Sequence, residues 1–260
     1  MATRDPMPLP LIENFHIFTT FRFDSRLSKD STHTSLLGGR QSDIFLLEYH
    51  YDRLRSAAKS IAGFQLPECL LHLDGFEQRI FDELRASAED SEQPIVRRGK
   101  VSVWPDGRSE VSLVPVAPSD PLLFPKSFDE YTNPAWTVIL DTQPTEANLY
   151  TEIKTSRRID YDRARKDAEL TPGSMTEVVL YNSAGEIMDG SITTAYFYRD
   201  GKWITPHAGG LEGVTRRYAL ERGLCSMSQS AMLKASLSDG EIVWLSNAFR
   251  GFFPAVFRSL

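Results

Sequence analysis

The chain has 260 residues, a length at the boundary between one large domain and two smaller ones. Its formal net charge of -6 argues against a nucleic-acid-binding protein, because phosphate backbones are bound by basic faces. We find no apolar run of the roughly 18 residues that a membrane span needs and no apolar signal core near the N-terminus. The distant Cys69 and Cys225 and five scattered histidines match neither a disulfide framework nor a metal site, so we expect a cytoplasmic protein without a metal.

The first half of the chain combines strand and helix patterns. Aromatic and β-branched residues alternate at its start, which is typical of a strand, and apolar residues then recur at helical spacing up to Gly63. Pro105, Asp106 and Gly107 form a strong turn signal inside a hairpin pattern. The predicted elements are a strand at 14–24, a loop at 26–42, helices at 47–61 and 70–87, and hairpin strands at 97–104 and 109–116.

The second half follows a proline-rich stretch, 117–135, that has little periodicity and is typical of a linker. The domains predicted from this pattern are 1–118 and 136–260, with a linker at 119–135. Strand and helix patterns alternate after the linker and indicate an α+β chain. The predicted elements are strands at 136–141, 176–181, 194–198, 202–206 and 242–246, and helices at 159–169, 214–223 and 227–235.

Lys154 lies in the segment IKTSRR (153–158), after an apolar residue and before two hydroxyl groups and two arginines. In a partly buried, cation-rich pocket the pKa of a lysine falls, and the neutral amine can then attack a carbonyl group. A surface lysine beside the basic start of a helix explains the same pattern. Spacing alone favours that second explanation.

Two segments could bind an anion. Arg53, in HYDRL (50–54), could grip a phosphate with its planar guanidinium or could belong to a solvated helix face. Thr215 stands at a predicted helix start after a glycine, where exposed N–H groups attract anions. An ordinary helix cap by Thr215 or Glu212 is the alternative.

Two further segments have both a structural and a functional explanation. Asp189, followed by Gly190, could form a turn between strands or could pair with a pyridinium N–H. Residues 244–255, WLSNAFRGFFPA, contain a strand that runs into a polar corner. A packed strand end with three phenylalanines explains that corner without any ligand.

Taken in order, these segments resemble the class IV (fold type IV) aminotransferase family, whose enzymes depend on pyridoxal phosphate (PLP). The matching segments are FTTFR (18–22), HYDRL, IKTSRR, DGS (189–191), GVTR (213–216) and NAFRG (247–251). The resemblance runs from about residue 14 to 257, and the ordered set is specific although no single motif is. It implies an α+β, two-domain fold like that of D-amino-acid aminotransferase, with a smaller N-terminal α/β lobe and a larger C-terminal lobe containing a mixed, barrel-like sheet. It also implies a homodimer.

The resemblance assigns the cofactor contacts to seven residues: the Schiff-base lysine Lys154, the phosphate contacts Arg53, Val214, Thr215, Asn247 and Ala248, and the ring-nitrogen acid Asp189. The family usually has Glu where this chain has Asp189, which is one methylene shorter. The chain also lacks the family's Gly-Asp-Gly segment before the first motif. The substrate contacts implied by the resemblance are Thr19, Thr20, Arg22 and Arg250.

Within the family, FTTFR, NAFRG and the lysine motif from Lys154 to Tyr161 resemble the 4-amino-4-deoxychorismate lyase branch. That branch implies a small-molecule amino substrate and release of pyruvate and 4-aminobenzoate, a folate precursor. One alternative is an aminotransferase acting on D-amino acids, branched-chain amino acids or (R)-amines, because the cofactor motifs are shared. A family member that has lost catalysis is another alternative.

Overall fold

The computed structural model describes residues 12–87, 94–116, 127–129, 134–207 and 209–259, with the single positions 6, 8, 10 and 125. Contacts between residues divide the chain into two compact units. Unit 1 consists of Met1–Pro121 with Lys154–Ser156, and unit 2 consists of Leu122–Ile153 with Arg157–Leu260. Most of the predicted linker, 119–135, lies outside the described residues, and the predicted domain bounds stay a prediction.

Unit 1 contains an antiparallel sheet in the order β1-β2-β3. One face of this sheet is apolar, and α2 and α3 present the apolar residues of their helical repeats, such as Leu54 and Phe76, as buried side chains. Gly107, at φ 81°, provides the left-handed residue of the hairpin turn between β2 and β3. The elements are β1 (Ile17–Asp24), α1 (Ser31–Leu36), α2 (Leu47–Lys59), α3 (Leu73–Ala86), β2 (Val96–Val103) and β3 (Ser109–Pro115).

The predicted loop at 26–42 is wrong in part, because it contains a 3-10 turn, Leu27–Lys29, and the helix α1. Asp30 is the reason, since its side chain accepts a hydrogen bond from the His33 N–H at 2.8 Å and caps the helix. Serine and threonine have low helix propensity, so the pattern of this segment did not predict a helix.

Unit 2 contains one mixed sheet of eight strands, in the order β6-β5-β4-β11-β10-β7-β8-β9. Its core contains fully buried residues from neighbouring strands, among them Val138, Ala195 and Val243. The elements are β4 (Trp136–Leu140), α4 (Leu149–Glu152), α5 (Ile159–Asp167), β5 (Thr176–Tyr181), β6 (Ile187–Gly190), β7 (Thr194–Arg199), β8 (Lys202–Thr205), α6 (Val214–Glu221), β9 (Ser226–Met227), β10 (Ile242–Asn247) and β11 (Gly251–Phe257).

The predicted helix at 227–235 is wrong. The backbone of this segment is hydrogen-bonded to strands instead: Ser228 donates to the Thr205 carbonyl at 3.0 Å, and Met232 accepts from the Ile187 N–H at 2.7 Å. Met232 is also buried in the sheet core. Serines in the segment compete with helical hydrogen bonds, and tertiary pairing therefore decides its structure.

Three strands of unit 2, β6, β9 and β11, were not predicted from the sequence. β6 contains Asp189, which pairs with Leu180, so the Asp189-Gly190 turn considered above is absent. β11 lies between β10 and β4 although it contains Pro254, which lacks a backbone N–H and argues against an inner strand. None of the helices in the described ranges combines the length and the apolar character needed to cross a membrane.

Candidate functional site

Lys154 belongs to a short segment that runs beside β1 within unit 1. Its carbonyl accepts a hydrogen bond from the Phe18 N–H at 3.0 Å, and Thr155 forms an antiparallel bridge with Ile17. The Lys154 side chain is half-buried, and its Nζ lies 5.0 Å from the centroid of the Phe18 ring. Backbone pairing therefore fixes this lysine against an aromatic face.

Arg53 belongs to a buried polar cluster between α2 and β1. Its Nη2 donates to the Thr19 hydroxyl oxygen, which lies 2.6 Å from His50 Nδ1. His50 and Thr19 have no exposed surface. Burial, together with the positive charges of Arg53 and Lys154, holds the pKa of His50 well below its usual value, so this imidazole is neutral.

The Arg53 side chain is only partly exposed. Burial lowers its pKa to about 9, because little water remains to solvate the charge. Its Nε is buried without a hydrogen-bond partner, and no carboxylate in the described ranges forms an ion pair with it. A mostly buried cation with an unused donor is suited to bind an anion, and the planar guanidinium matches a phosphate.

The other predicted substrate residues of β1 differ in environment. Arg22 is 2% exposed and donates to Asp24 Oδ2 from Nε at 3.0 Å and from Nη2 at 2.6 Å. Asp24 in turn binds Arg26, and these charge-assisted bonds hold the pKa of Asp24 below its usual value despite burial. Arg22 therefore acts as part of a structural ion pair. Thr20 is half-buried, and it lies opposite Lys100 on the neighbouring strand.

Asp189 is 6% exposed on β6 of unit 2. Its Oδ2 accepts a hydrogen bond from the Leu211 N–H at 3.2 Å. Burial raises the pKa of Asp189 to about 8, although the charge of Arg216 opposes the shift. Gly210 allows the chain to pass this close, since a Cβ at that position would lie 2.6 Å from Asp189 Cβ.

Glu177 is a buried carboxylate next to Asp189 that the sequence analysis missed. It accepts hydrogen bonds from the Ser191 N–H at 3.0 Å, the Ser191 hydroxyl at 2.5 Å, the Ile192 N–H at 3.2 Å and the Thr193 hydroxyl at 2.7 Å. These bonds shape the turn that follows β6. The sequence did contain a signal for this residue, because Glu177 lies in the apolar run TEVVLY. An acid in a buried strand needs hydrogen-bond partners, and such partners could have been sought nearby.

The raised pKa of Asp189 predicts how the stability of the unliganded protein depends on pH. The folded state keeps the proton up to about pH 8, whereas the unfolded state releases it near pH 3.8. Stability therefore falls as pH rises through this window, by up to about 1.4 kcal/mol per pH unit. Asp189→Asn removes this dependence. The free energy of unfolding of the variant, relative to that of wild type, should therefore be higher at pH 8 than at pH 5.

Urea unfolding of the PLP-free proteins at pH 5 and pH 8 measures this gain. Asp200→Asn, at an exposed turn, is the matched control and should show no pH-dependent difference from wild type. If the stability difference between Asp189→Asn and wild type were the same at both pH values, the raised pKa of Asp189 would be contradicted.

The N-terminus of α6 follows Gly213, and neither a side-chain cap nor an acidic residue lies in its first turn. The cap by Thr215 or Glu212 considered above is therefore absent. Thr215 is buried, and its hydroxyl accepts from Ser246 Oγ at 2.8 Å. The N–H groups at this helix start, including those of Val214 and Thr215, lack intrahelical partners and carry the positive end of the helix dipole.

Asn247 ends β10 one residue after Ser246. Its Oδ1 accepts from the N–H groups of Phe249 at 3.1 Å and Arg250 at 2.8 Å, and this closes a tight turn around the buried Ala248. The Arg250 side chain is exposed, and its guanidinium carbon lies 5.2 Å from the centroid of the Trp136 ring. The turn and the start of α6 thus lie together at one end of β10.

Comparison with known proteins identifies the family. The model of the amino-transferase class IV family matches residues 32–256. The chain belongs to the class IV aminotransferase family. This membership confirms that the protein is an enzyme with the α+β, two-domain fold of the family.

Several relatives of this class IV enzyme are known. A protein of Schizosaccharomyces pombe, named as a candidate aminodeoxychorismate lyase, is 32% identical over 215 residues, which cover 80% of this chain and 82% of that protein. The aminodeoxychorismate lyase of Saccharomyces cerevisiae is 32% identical over 134 residues, 45% of this chain and 35% of that protein. A branched-chain amino acid aminotransferase of T.th., solved with N-(5'-phosphopyridoxyl)-L-glutamate, has a TM-score of 0.62 at 16% identity and covers 94% of this chain and 76% of that chain. That identity supports the fold alone.

Proposed function

We propose that this enzyme is a PLP-dependent lyase that converts 4-amino-4-deoxychorismate to 4-aminobenzoate and pyruvate. The observation that carries the choice of reaction is the 32% identity to the S. pombe protein over 80% of this chain, together with the name of that relative. The S. cerevisiae relative has the same activity in its name. The family model and the PLP adduct in a fold neighbour support the choice of cofactor.

The residues of the chain suit the cofactor in charge and in hydrogen-bonding capacity. Arg53, mostly buried and without an ion pair among the described residues, is proposed to bind the phosphate, and its unused Nε provides a donor. The uncapped N–H groups of Val214 and Thr215 and the turn at Asn247 and Ala248 are proposed as further phosphate contacts. Thr19 is better suited to orient Arg53 than to touch the substrate, because its hydroxyl is held by Arg53 and His50.

Asp189 is proposed to pair with the pyridine nitrogen. Its carboxyl accepts the Leu211 N–H at 3.2 Å and interacts with the Gly190 N–H, and a ring N–H would supply a further, charge-assisted partner. The nearby Arg216 favours the ionised form that such pairing needs. The shorter side chain relative to the usual Glu requires the ring to approach β6 more closely.

Bound PLP supplies an aldehyde that captures the substrate amine and a ring that draws electrons from the substrate carbon. Lys154 holds the cofactor before the substrate arrives, and its Nζ then accepts the proton from that carbon. Phe18, 5.0 Å from Nζ, limits the directions in which this amine can move.

The overall reaction is an elimination in which the enol-ether C–O bond breaks and the ring becomes aromatic. All atoms of the substrate are found in 4-aminobenzoate and pyruvate, so neither an oxidant nor a second keto acid is needed. Arg250 remains a proposed contact for a substrate carboxylate, because it is exposed beside the Asn247 turn. The homodimer and the cytoplasmic location stay predictions.

The reaction is tested by incubating the holoenzyme with 4-amino-4-deoxychorismate in the absence of any keto acid. We expect equal amounts of pyruvate and 4-aminobenzoate, measured by coupled NADH oxidation and by fluorescence. A result with no pyruvate, together with amino transfer to 2-oxoglutarate from a D-amino acid, a branched-chain amino acid or an (R)-amine, would replace the lyase with an aminotransferase.

A further inference from the structure

One face of the sheet in unit 1 is largely polar and contains Lys100. Thr20 on β1 lies opposite Lys100 on β2, and Phe18 lies opposite Ser102 two positions along. Side chains alternate along a strand, so these four residues share one face. Lys100 stands near the middle of this face and is half-buried.

The aromatic ring of Phe18 lies close to two ammonium groups. Lys100 Nζ is 4.5 Å from the ring centroid, and Lys154 Nζ is 5.0 Å from it. A cation–π contact stabilises each ammonium group but does not neutralise its charge. The two positive charges therefore lie near one another across a hydrocarbon surface.

His16 fixes the position of Lys100 without supplying a negative charge. His16 Nδ1 lies 2.9 Å from the Asn14 carbonyl, so Nδ1 has the proton and donates it. Nε2 is then an acceptor, and it lies 3.2 Å from Lys100 Nζ. Burial and the charge of Lys100 are among the causes that lower the pKa of His16, which agrees with a neutral ring.

No carboxylate in the described ranges forms an ion pair with Lys100. Glu110 is the acid whose charge acts on it, and that side chain is exposed. Burial lowers the pKa of Lys100 more than Glu110 raises it. Two of the three ammonium N–H donors remain after the bond to His16.

We propose that Lys100 binds a carboxylate of the substrate, with the Phe18 ring packed against the apolar part of the same molecule. The inference rests on the proposed function, in which the substrate has a ring and two carboxylates. The Thr20 hydroxyl lies across the strand pair from Lys100 and provides a neighbouring hydrogen-bonding group. Lys100 thereby distinguishes a carboxylated ring from an uncharged one.

Titration calorimetry of the PLP-loaded enzyme with 4-aminobenzoate and with the uncharged 4-aminobenzamide tests this role. The wild type should bind the carboxylate about 10- to 100-fold more tightly than the amide, as expected for a charge-assisted contact. Lys100→Met and Lys100→Gln should lose this preference and leave the amide affinity unchanged. Lys100→Arg should retain most of it.

Lys59→Met, at an exposed position of the same unit, is the matched control and should behave as wild type. The visible absorbance of bound PLP should be the same in all variants, because Lys100 is assigned to the substrate alone. The role of Lys100 would be overturned if Lys100→Met and Lys100→Gln both kept the preference for the carboxylate. It would also be overturned if the wild type bound neither ligand or bound both equally. If the enzyme released no pyruvate but its preference for the carboxylate still depended on Lys100, the lyase reaction would be rejected and the carboxylate site would be kept.

Discussion

The Lys154→Ala variant is expected to lose pyruvate release by about 10³-fold or more, the scale of a missing general base. The loss should exceed that of any other single substitution, because Lys154 is assigned both the covalent hold on the cofactor and the proton transfer. Bound PLP should also lose its lysine-linked absorbance. Steady-state rates and a visible spectrum of the same sample measure the two effects.

Lys166→Ala is the matched control for this variant, since Lys166 is an exposed lysine on α5. It should retain wild-type activity and spectrum. Substantial turnover by Lys154→Ala, with the wild-type absorbance band intact, would show that another group performs the chemistry.

The Arg53→Met variant is expected to separate cofactor affinity from the stability of the unliganded protein. Loss of one or two charge-assisted hydrogen bonds to a phosphate should weaken PLP binding about 100-fold. The unliganded protein should keep its stability to within about 1 kcal/mol or become more stable, because the variant removes a mostly buried charge that has no ion pair among the described residues. Most substitutions of a buried residue weaken both properties together.

Equilibrium dialysis gives the PLP affinity, and urea unfolding of the PLP-free protein gives the stability. Arg55→Met is the matched control, because Arg55 is exposed on the same helix. It should change neither quantity appreciably. A large loss of stability in PLP-free Arg53→Met with unchanged PLP affinity would assign Arg53 a structural role.

Much of the fold could be predicted because local patterns and tertiary structure agree. The helical spacing up to Gly63 predicts α2, and the turn residues around Gly107 predict the β2–β3 hairpin. The prediction fails where hydrogen bonds to distant strands determine the local structure. Residues 227–235 have an apolar pattern compatible with a helix but are held by Thr205 and Ile187 of the sheet.

The candidate site also has a part that could be predicted from the sequence and a part that could not. Lys154, Arg53 and Asp189 could be proposed because their order along the chain resembles a family pattern. Their surroundings could not be proposed, since the Thr19–His50 contact joins residues far apart in sequence and Glu177 lies in an otherwise apolar strand. Arg22 was proposed as a substrate contact from its place in the family pattern, which does not reveal that it pairs with Asp24 two residues along the same strand.

The measurement that tests the account most directly is borohydride reduction of the PLP-loaded enzyme, followed by proteolysis and mass spectrometry of the labelled peptide. The account predicts a single phosphopyridoxyl adduct, on Lys154, with the visible band lost on reduction. An adduct on Lys100 or any other lysine, or no covalent adduct at all, would contradict it.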